Sequence, residues 1–196
     1  MKGADPLTER QFRAMLRTMR GPGRARDRAL LVLGCRTGFR VSPLLALTIG
    51  DVARGRRIVD RLYVPRRLRK GKLAGRSVPL SRQAKEVVRE LLRVLRARGA
   101  AEPSDPLFAS RRDPLKAIDR TQAWRVLRAS AAAAGVTARV GTHSMRKTFA
   151  ARLQERWGND LMRLQEALGH ARIDSTARYL GINRAEIEKA IIDMGR

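Results

Sequence analysis

Helical periodicity governs this chain on both sides of one interruption. Residues 54–76 hold ten Lys or Arg and a single acid, Asp60, threaded with the β-formers Ile58, Val59, Leu62, Tyr63 and Val64, and Val78 follows. Such a segment reads as short strands joined by turns, the tight turn lying around Lys70-Gly71-Lys72 or Ala74-Gly75. Pro65 and Pro79 restrict the strands to short or edge positions, because proline has no amide proton to give to a ladder. The expected fold is mainly α with a small, basic antiparallel β-sheet, an α+β arrangement.

The flanking helices are marked by caps and breakers. Thr8 and Gln11 form a capping box, Leu7 and Phe12 a hydrophobic staple, and Phe12, Met15, Leu16 and Met19 keep helical spacing. Gly21-Pro22-Gly23 breaks that helix; the apolar run over residues 27–35 predicts a buried helix stopping near Gly38, and a short one carries Leu44, Leu45 and Leu47. Beyond the sheet, Ser81 opens an amphipathic helix, apolar at Ala84, Val87, Val88, Leu91, Leu92 and Leu95 and ended by Gly99. Pro103, Pro106 and Pro114 make residues 100–114 a loop whose Leu107 and Phe108 dip into the core. Asp119 and Gln122 cap a helix with Trp124, Leu127 and an alanine run stopping at Gly135. Thr142 caps one containing His143, Arg146, Phe149 and Leu153, and Asp160 caps one ending at Gly169. A short helix holds Tyr179, and Asn183 caps a last helix with the apolar stripe Ile187, Ala190, Ile191 and Met194.

Charge narrows the partner. The 196 residues carry 43 Lys and Arg against 18 Asp and Glu, a formal charge of +25, and 43% of them are apolar, which supports a core and excludes a disordered basic tail. Duplex DNA carries a negative charge about every 1.7 Å, and neutralising its phosphates releases counterions, so double-stranded DNA is the expected partner. No segment approaches ~18 uninterrupted apolar residues and no basic helix exposes bulky apolar ones, so no membrane is expected. Cys35 alone excludes an internal disulfide, and with two histidines it makes no zinc site without carboxylates. The expected location is cytoplasmic, on the nucleoid.

The motifs of nucleotide hydrolysis, serine hydrolysis and zinc proteolysis are all missing, and the acids are too scattered to hold a metal. No cofactor or metal is expected. What remains for attack on phosphate is a basic pocket with a protein nucleophile, for which Ser, Tyr and Cys all qualify. Both histidines sit at helix boundaries. His143 and Arg146, three apart, share a helix face and can grip one anion, although such a pair taken alone is more often solvated surface or a cap. Tyr63 reads as a packing residue of its strand, and Ser42 and Ser144 as caps or supporting donors.

Four boxes in order carry a resemblance: Thr37-Gly38-Phe39-Arg40-Val41-Ser42; Lys70-Gly71-Lys72 leading to Arg76-Ser77-Val78-Pro79-Leu80; His143-Ser144-Met145-Arg146-Lys147-Thr148-Phe149-Ala150; and Leu168-Gly169-His170 with Tyr179-Leu180 beyond. From Leu7 onward the chain resembles the catalytic domain of the tyrosine recombinases, the phage-integrase family. The resemblance implies that fold and a site-specific DNA recombinase, or integrase, of a mobile element. It makes Tyr179 the nucleophile, giving a 3′-phosphotyrosyl intermediate and a free 5′-hydroxyl without metal or ATP. Arg40 and Arg146 would hold the non-bridging oxygens with planar forks that lysine cannot copy. His143 would take the tyrosine proton, since free tyrosine has a pKa of about 10. Lys70, with Lys72 as alternate, would protonate the leaving 5′-oxygen, and His170 would bond the phosphate or hold the pocket. Arg66, Arg67, Arg69, Lys72, Arg76 and Lys147 are the expected DNA contacts.

Two departures shape the expectations. Pro43 stands where the family usually has an acid. The chain also begins almost where the catalytic domain begins, so it reads as one domain, 1–196, with the N-terminal core-binding domain absent. That makes it a minimal recombinase or one dependent on an accessory DNA-binding protein. The C-terminal stripe folds on its own core or docks on a neighbouring protomer, and a homotetramer on DNA is the implied assembly. The rivals are a type IB topoisomerase-like enzyme and a non-catalytic DNA-binding regulator of the same fold.

Overall fold

A computed structural model describes residues 3–65, 75–158 and 160–169. The helix expected around Tyr179, the expected last helix with its apolar stripe and the turn expected around Lys70-Gly71-Lys72 fall outside the described residues. Two compact units divide the chain, Met1–Phe149 and Ala150–Arg196.

In the first unit, α1 (Glu9–Thr18) starts as its sequence dictates: the Thr8 hydroxyl accepts from the Gln11 amide and the Thr8 amide donates to the Gln11 side chain at 2.9 Å. α2 (Arg24–Thr37) is buried on nearly every side, with Ala29 through Cys35 inside the core, so it is the central helix. Its chief partner is α5 (Arg82–Ala97), whose apolar stripe from Ala84 to Leu95 is buried as the periodicity requires. The Ser81 hydroxyl caps α5 by accepting from the Ala84 amide. α1 packs on α6 (Arg120–Ala133), which begins at the Asp119 cap, its carboxylate accepting from the Gln122 amide at 2.6 Å. Leu107 and Phe108 are fully buried, as expected of that loop.

Between α2 and the strands lie two short helices, α3 (Val41–Leu45) and α4 (Ile49–Val52). The strands form two separate antiparallel pairs rather than one sheet. β1 (Ala53–Arg54) turns through Gly55 into β2 (Arg57–Ile58), and β3 (Arg61–Val64) pairs with β4 (Arg76–Pro79), Leu62 opposite Val78 and Val64 opposite Arg76. Leu62, Val64, Arg76 and Val78 point inward; Arg61, Tyr63, Ser77 and Pro79 point out. Tyr63, read as packing, is 55% exposed and lies over the backbone of Gly75.

α7 (Thr142–Trp157) begins one residue earlier than expected: Thr142 is its first residue, and the bracket at its start comes from Ser144, whose hydroxyl accepts from the Gly141 amide at 3.1 Å. In the second unit, α8 (Leu161–Leu168) buries Leu164 and Leu168, is capped by the Asp160 carboxylate at the Arg163 amide, and ends on Gly169 in the left-handed conformation. No described helix is long and apolar enough to cross a membrane.

Candidate functional site

The site begins where α2 stops. Gly38 takes a left-handed conformation, φ 64°, and its amide closes the helix on the Gly34 carbonyl. A Cβ at Gly38 would lie 2.3 Å from the Phe149 ring, so glycine is required both for the turn and for the approach of α7. Phe39 is then buried, at 3% exposure, and Arg40 follows as the extended N-cap residue of α3. The Arg40 side chain makes no capping bond and stands exposed.

α7 supplies the facing groups. Arg146 is 2% exposed, and its Nη1 donates to the Gly38 carbonyl, two residues before Arg40. The start of α7 is fixed from within: the Thr148 hydroxyl donates to the Ser144 carbonyl and accepts from the Leu7 amide at 2.8 Å. Ser144 is fully buried and bonded, in keeping with a supporting part.

His143, three residues before Arg146, remains solvent-accessible. Partial desolvation holds its pKa below the ordinary value of 6.5, and the positive charges of Arg40, Arg120, Arg146 and Lys147 lower it further. His143 is therefore neutral near pH 7, with a free lone pair on one ring nitrogen, while the surrounding cations favour an anion. Arg40, Arg146 and Lys147 are thus among the charges that act on the His143 ring, and Arg120, which sequence reasoning missed, acts on it too. Its signal was available: Arg120 directly follows the Asp119 cap and opens α6. Pro43 lies within α3. Among the described residues no group of three His, Cys, Asp or Glu is placed to hold a metal ion.

One expected DNA contact has a different place. Arg76 is 8% exposed, its Nη2 donates to the Thr37 carbonyl at 2.9 Å, and its guanidinium lies 4.9 Å from the Phe39 ring centre and 5.6 Å from that of Phe149. Strand alternation turns it inward with Val64 and Val78, against the turn that leads into Arg40. Arg66, Arg67, Arg69, Lys70, Lys72, His170 and Tyr179 lie outside the described residues. An exposed guanidinium and a buried one, linked through the turn at Gly38, thus both act on a neutral imidazole, a set with the chemistry to bind a phosphodiester and accept a proton.

Comparison with known proteins identifies the family and the fold. The phage integrase family model matches residues 6–186. The chain is 32% identical over 180 residues to the type 1 fimbriae regulatory protein FimE of Escherichia coli K12, covering 91% of this chain and 86% of FimE. It is 33% identical over 167 residues to the tyrosine recombinase XerC of Herpetosiphon aurantiacus, covering 85% of this chain but only 51% of XerC, so it spans about half the length of that relative. Among solved structures, XerA recombinase superposes with a TM-score of 0.72 at 24% identity over 98% of this chain and 66% of XerA. The catalytic domain of bacteriophage HP1 integrase gives 0.57 at 22% identity over 96% of this chain and 94% of that domain. The mainly helical fold with small antiparallel sheets is that of the tyrosine recombinase catalytic domain, and the chain belongs to the phage integrase family.

Proposed function

We propose that this protein is a site-specific DNA recombinase, residues 1–196 forming its catalytic domain, which cuts and rejoins duplex DNA through a phosphotyrosine. The observation that supports it most is that Arg146 bonds the Gly38 carbonyl, two residues before Arg40, while the charges of both arginines act on His143. In this reading the Tyr179 oxygen attacks the scissile phosphorus. The P–Oη bond forms, the P–O5′ bond breaks, His143 takes the tyrosine proton, and Lys70 or Lys72 gives a proton to the departing 5′-oxygen. Arg40 and Arg146, helped by His170, stabilise the charge that gathers on the non-bridging oxygens. One phosphoester replaces another, so rejoining is the reverse attack by a 5′-hydroxyl and consumes no ATP or metal.

The partner is double-stranded DNA, met by Arg66, Arg67, Arg69, Lys72 and Lys147. The assembly is a homotetramer on the nucleoid, with an accessory DNA-binding protein as a further source of grip. A mobile element is the natural setting: one structure of like fold is a transposon integrase bound to transposon right-end DNA. The test is incubation with randomised duplexes, nicked to trap cleavage, in EDTA without ATP. Detergent-resistant adducts that vanish with Tyr179→Phe are the expected result. A folded protein that binds DNA but yields no adduct is a regulator instead, and one that relaxes supercoils without exchanging partners is a topoisomerase.

A further inference from the structure

Arg40 works only if its exposed guanidinium is held where the phosphate comes, and the structure assigns that task to Arg76, a positioning residue that locks the three residues leading into Arg40. This inference rests on the recombinase reading. Each of those three residues is gripped. The Thr37 carbonyl takes a bond from Arg76 Nη2 at 2.9 Å, the Gly38 carbonyl takes one from Arg146, and the Phe39 ring lies beneath the Arg76 guanidinium at 4.9 Å. Phe149, 5.6 Å from the same guanidinium, fills the space over Gly38. A guanidinium can do this because its edge donates while its face stacks; an ammonium offers no such face.

The geometry also explains how a cation comes to be 8% exposed in a protein already carrying so much positive charge. Carbonyl oxygen and two aromatic faces replace part of its hydration. Arg76 opens β4, the return strand of the basic hairpin. One side chain therefore connects the Arg40 turn, the middle of α7 at Phe149 and the base of that hairpin.

The experiment compares wild type, Arg76→Lys, Arg76→Met and Phe39→Leu for thermal stability, amide hydrogen exchange at residues 38–44, salt dependence of DNA binding and adduct formation. We expect Arg76→Lys to slow adduct formation by about 100-fold, the loss that a misplacement near 1 Å brings. DNA affinity and its salt slope should stay unchanged, and exchange at residues 38–44 should rise more than in α5. In an Arg40→Lys background the same substitution should cost no more than about twofold further, because two residues acting through one position are not additive. Phe39→Leu, which keeps apolar volume but removes the stacked ring, should show the same pattern more weakly. A salt slope reduced by about one with unchanged exchange makes Arg76 a phosphate contact and overturns the inference. A full additional loss in the Arg40→Lys background makes it a general support of the fold and overturns it too. Absence of adduct from wild type defeats the recombinase reading by itself; unchanged exchange at residues 38–44 in Arg76→Met then defeats the positioning.

Discussion

At the scale of single residues, His143 shows what the crowd of cations does. Its pKa in the folded chain lies below the ordinary 6.5, first by desolvation and then through Arg40, Arg120, Arg146 and Lys147. Between the folded and unfolded values the unfolded chain holds more proton, so stability rises with pH across that window. The contribution is complete above about 6.5 and is lost as the pH falls through the folded value. A nuclear magnetic resonance titration of the free protein should give a midpoint below 6.5. Arg40→Ala and Arg120→Gln should each raise it, and added salt should do the same by screening. A midpoint at or above the ordinary value sinks this account. Gly38 is the second sensitive position. Alanine there meets both a left-handed backbone and the Phe149 ring, so Gly38→Ala should destabilise the protein by about 2 kcal/mol or more in urea unfolding.

At the scale of elements, α7 is carried against α2 by a missing side chain. A Cβ on Gly34 would fall 2.3 Å from the Met145 sulfur, closer than real atoms come. Gly34→Ala should therefore cost about 1–3 kcal/mol, and Met145→Ala in the same chain should return part of that loss, the sign of direct coupling. If the two effects add, the helices meet elsewhere. Much at this scale was legible because it is written locally. Thr8, Ser81, Asp119 and Asp160 cap helices through amides three residues on, and Gly38 and Gly169 end helices because they bear no Cβ. What escaped was too short or too dominated by charge. α4 has only four residues, and its Thr48–Asp51 capping box stands before no periodic run. Arg76 and Tyr63 were assigned by residue type, a basic residue to DNA and an aromatic one to packing. Strand parity, readable from Leu62, Val64 and Val78, puts each on the opposite side. The Arg40, His143 and Arg146 constellation was named from its boxes, but the carbonyl of Gly38 that joins it is a tertiary contact no local pattern encodes.

At the scale of the whole molecule, the excess charge is unevenly compensated. Acids answer the bases around α5: Arg82 pairs with Glu86, Arg24 with Glu90, and Lys85 with Asp60. Asp60 is held below its ordinary pKa by Lys85 first and Arg57 second, so its pair with Lys85 persists at neutral pH. Around His143 the charges acting on the imidazole are all positive, which makes that region one where a polyanion gains by displacing counterions. Binding to duplex DNA, followed by fluorescence anisotropy between 50 and 200 mM salt, should weaken by about a thousandfold or more if six or more phosphates are engaged. The substitutions should then divide by place. Arg120→Gln and Lys147→Gln should each weaken binding across all sequences and lower the salt slope by about one, whereas Arg82→Gln, which removes a charge already paired with Glu86, should change the slope little. Equal effects from all three would mean that net charge alone draws the DNA, and that the cationic region around His143 has no part in orienting it.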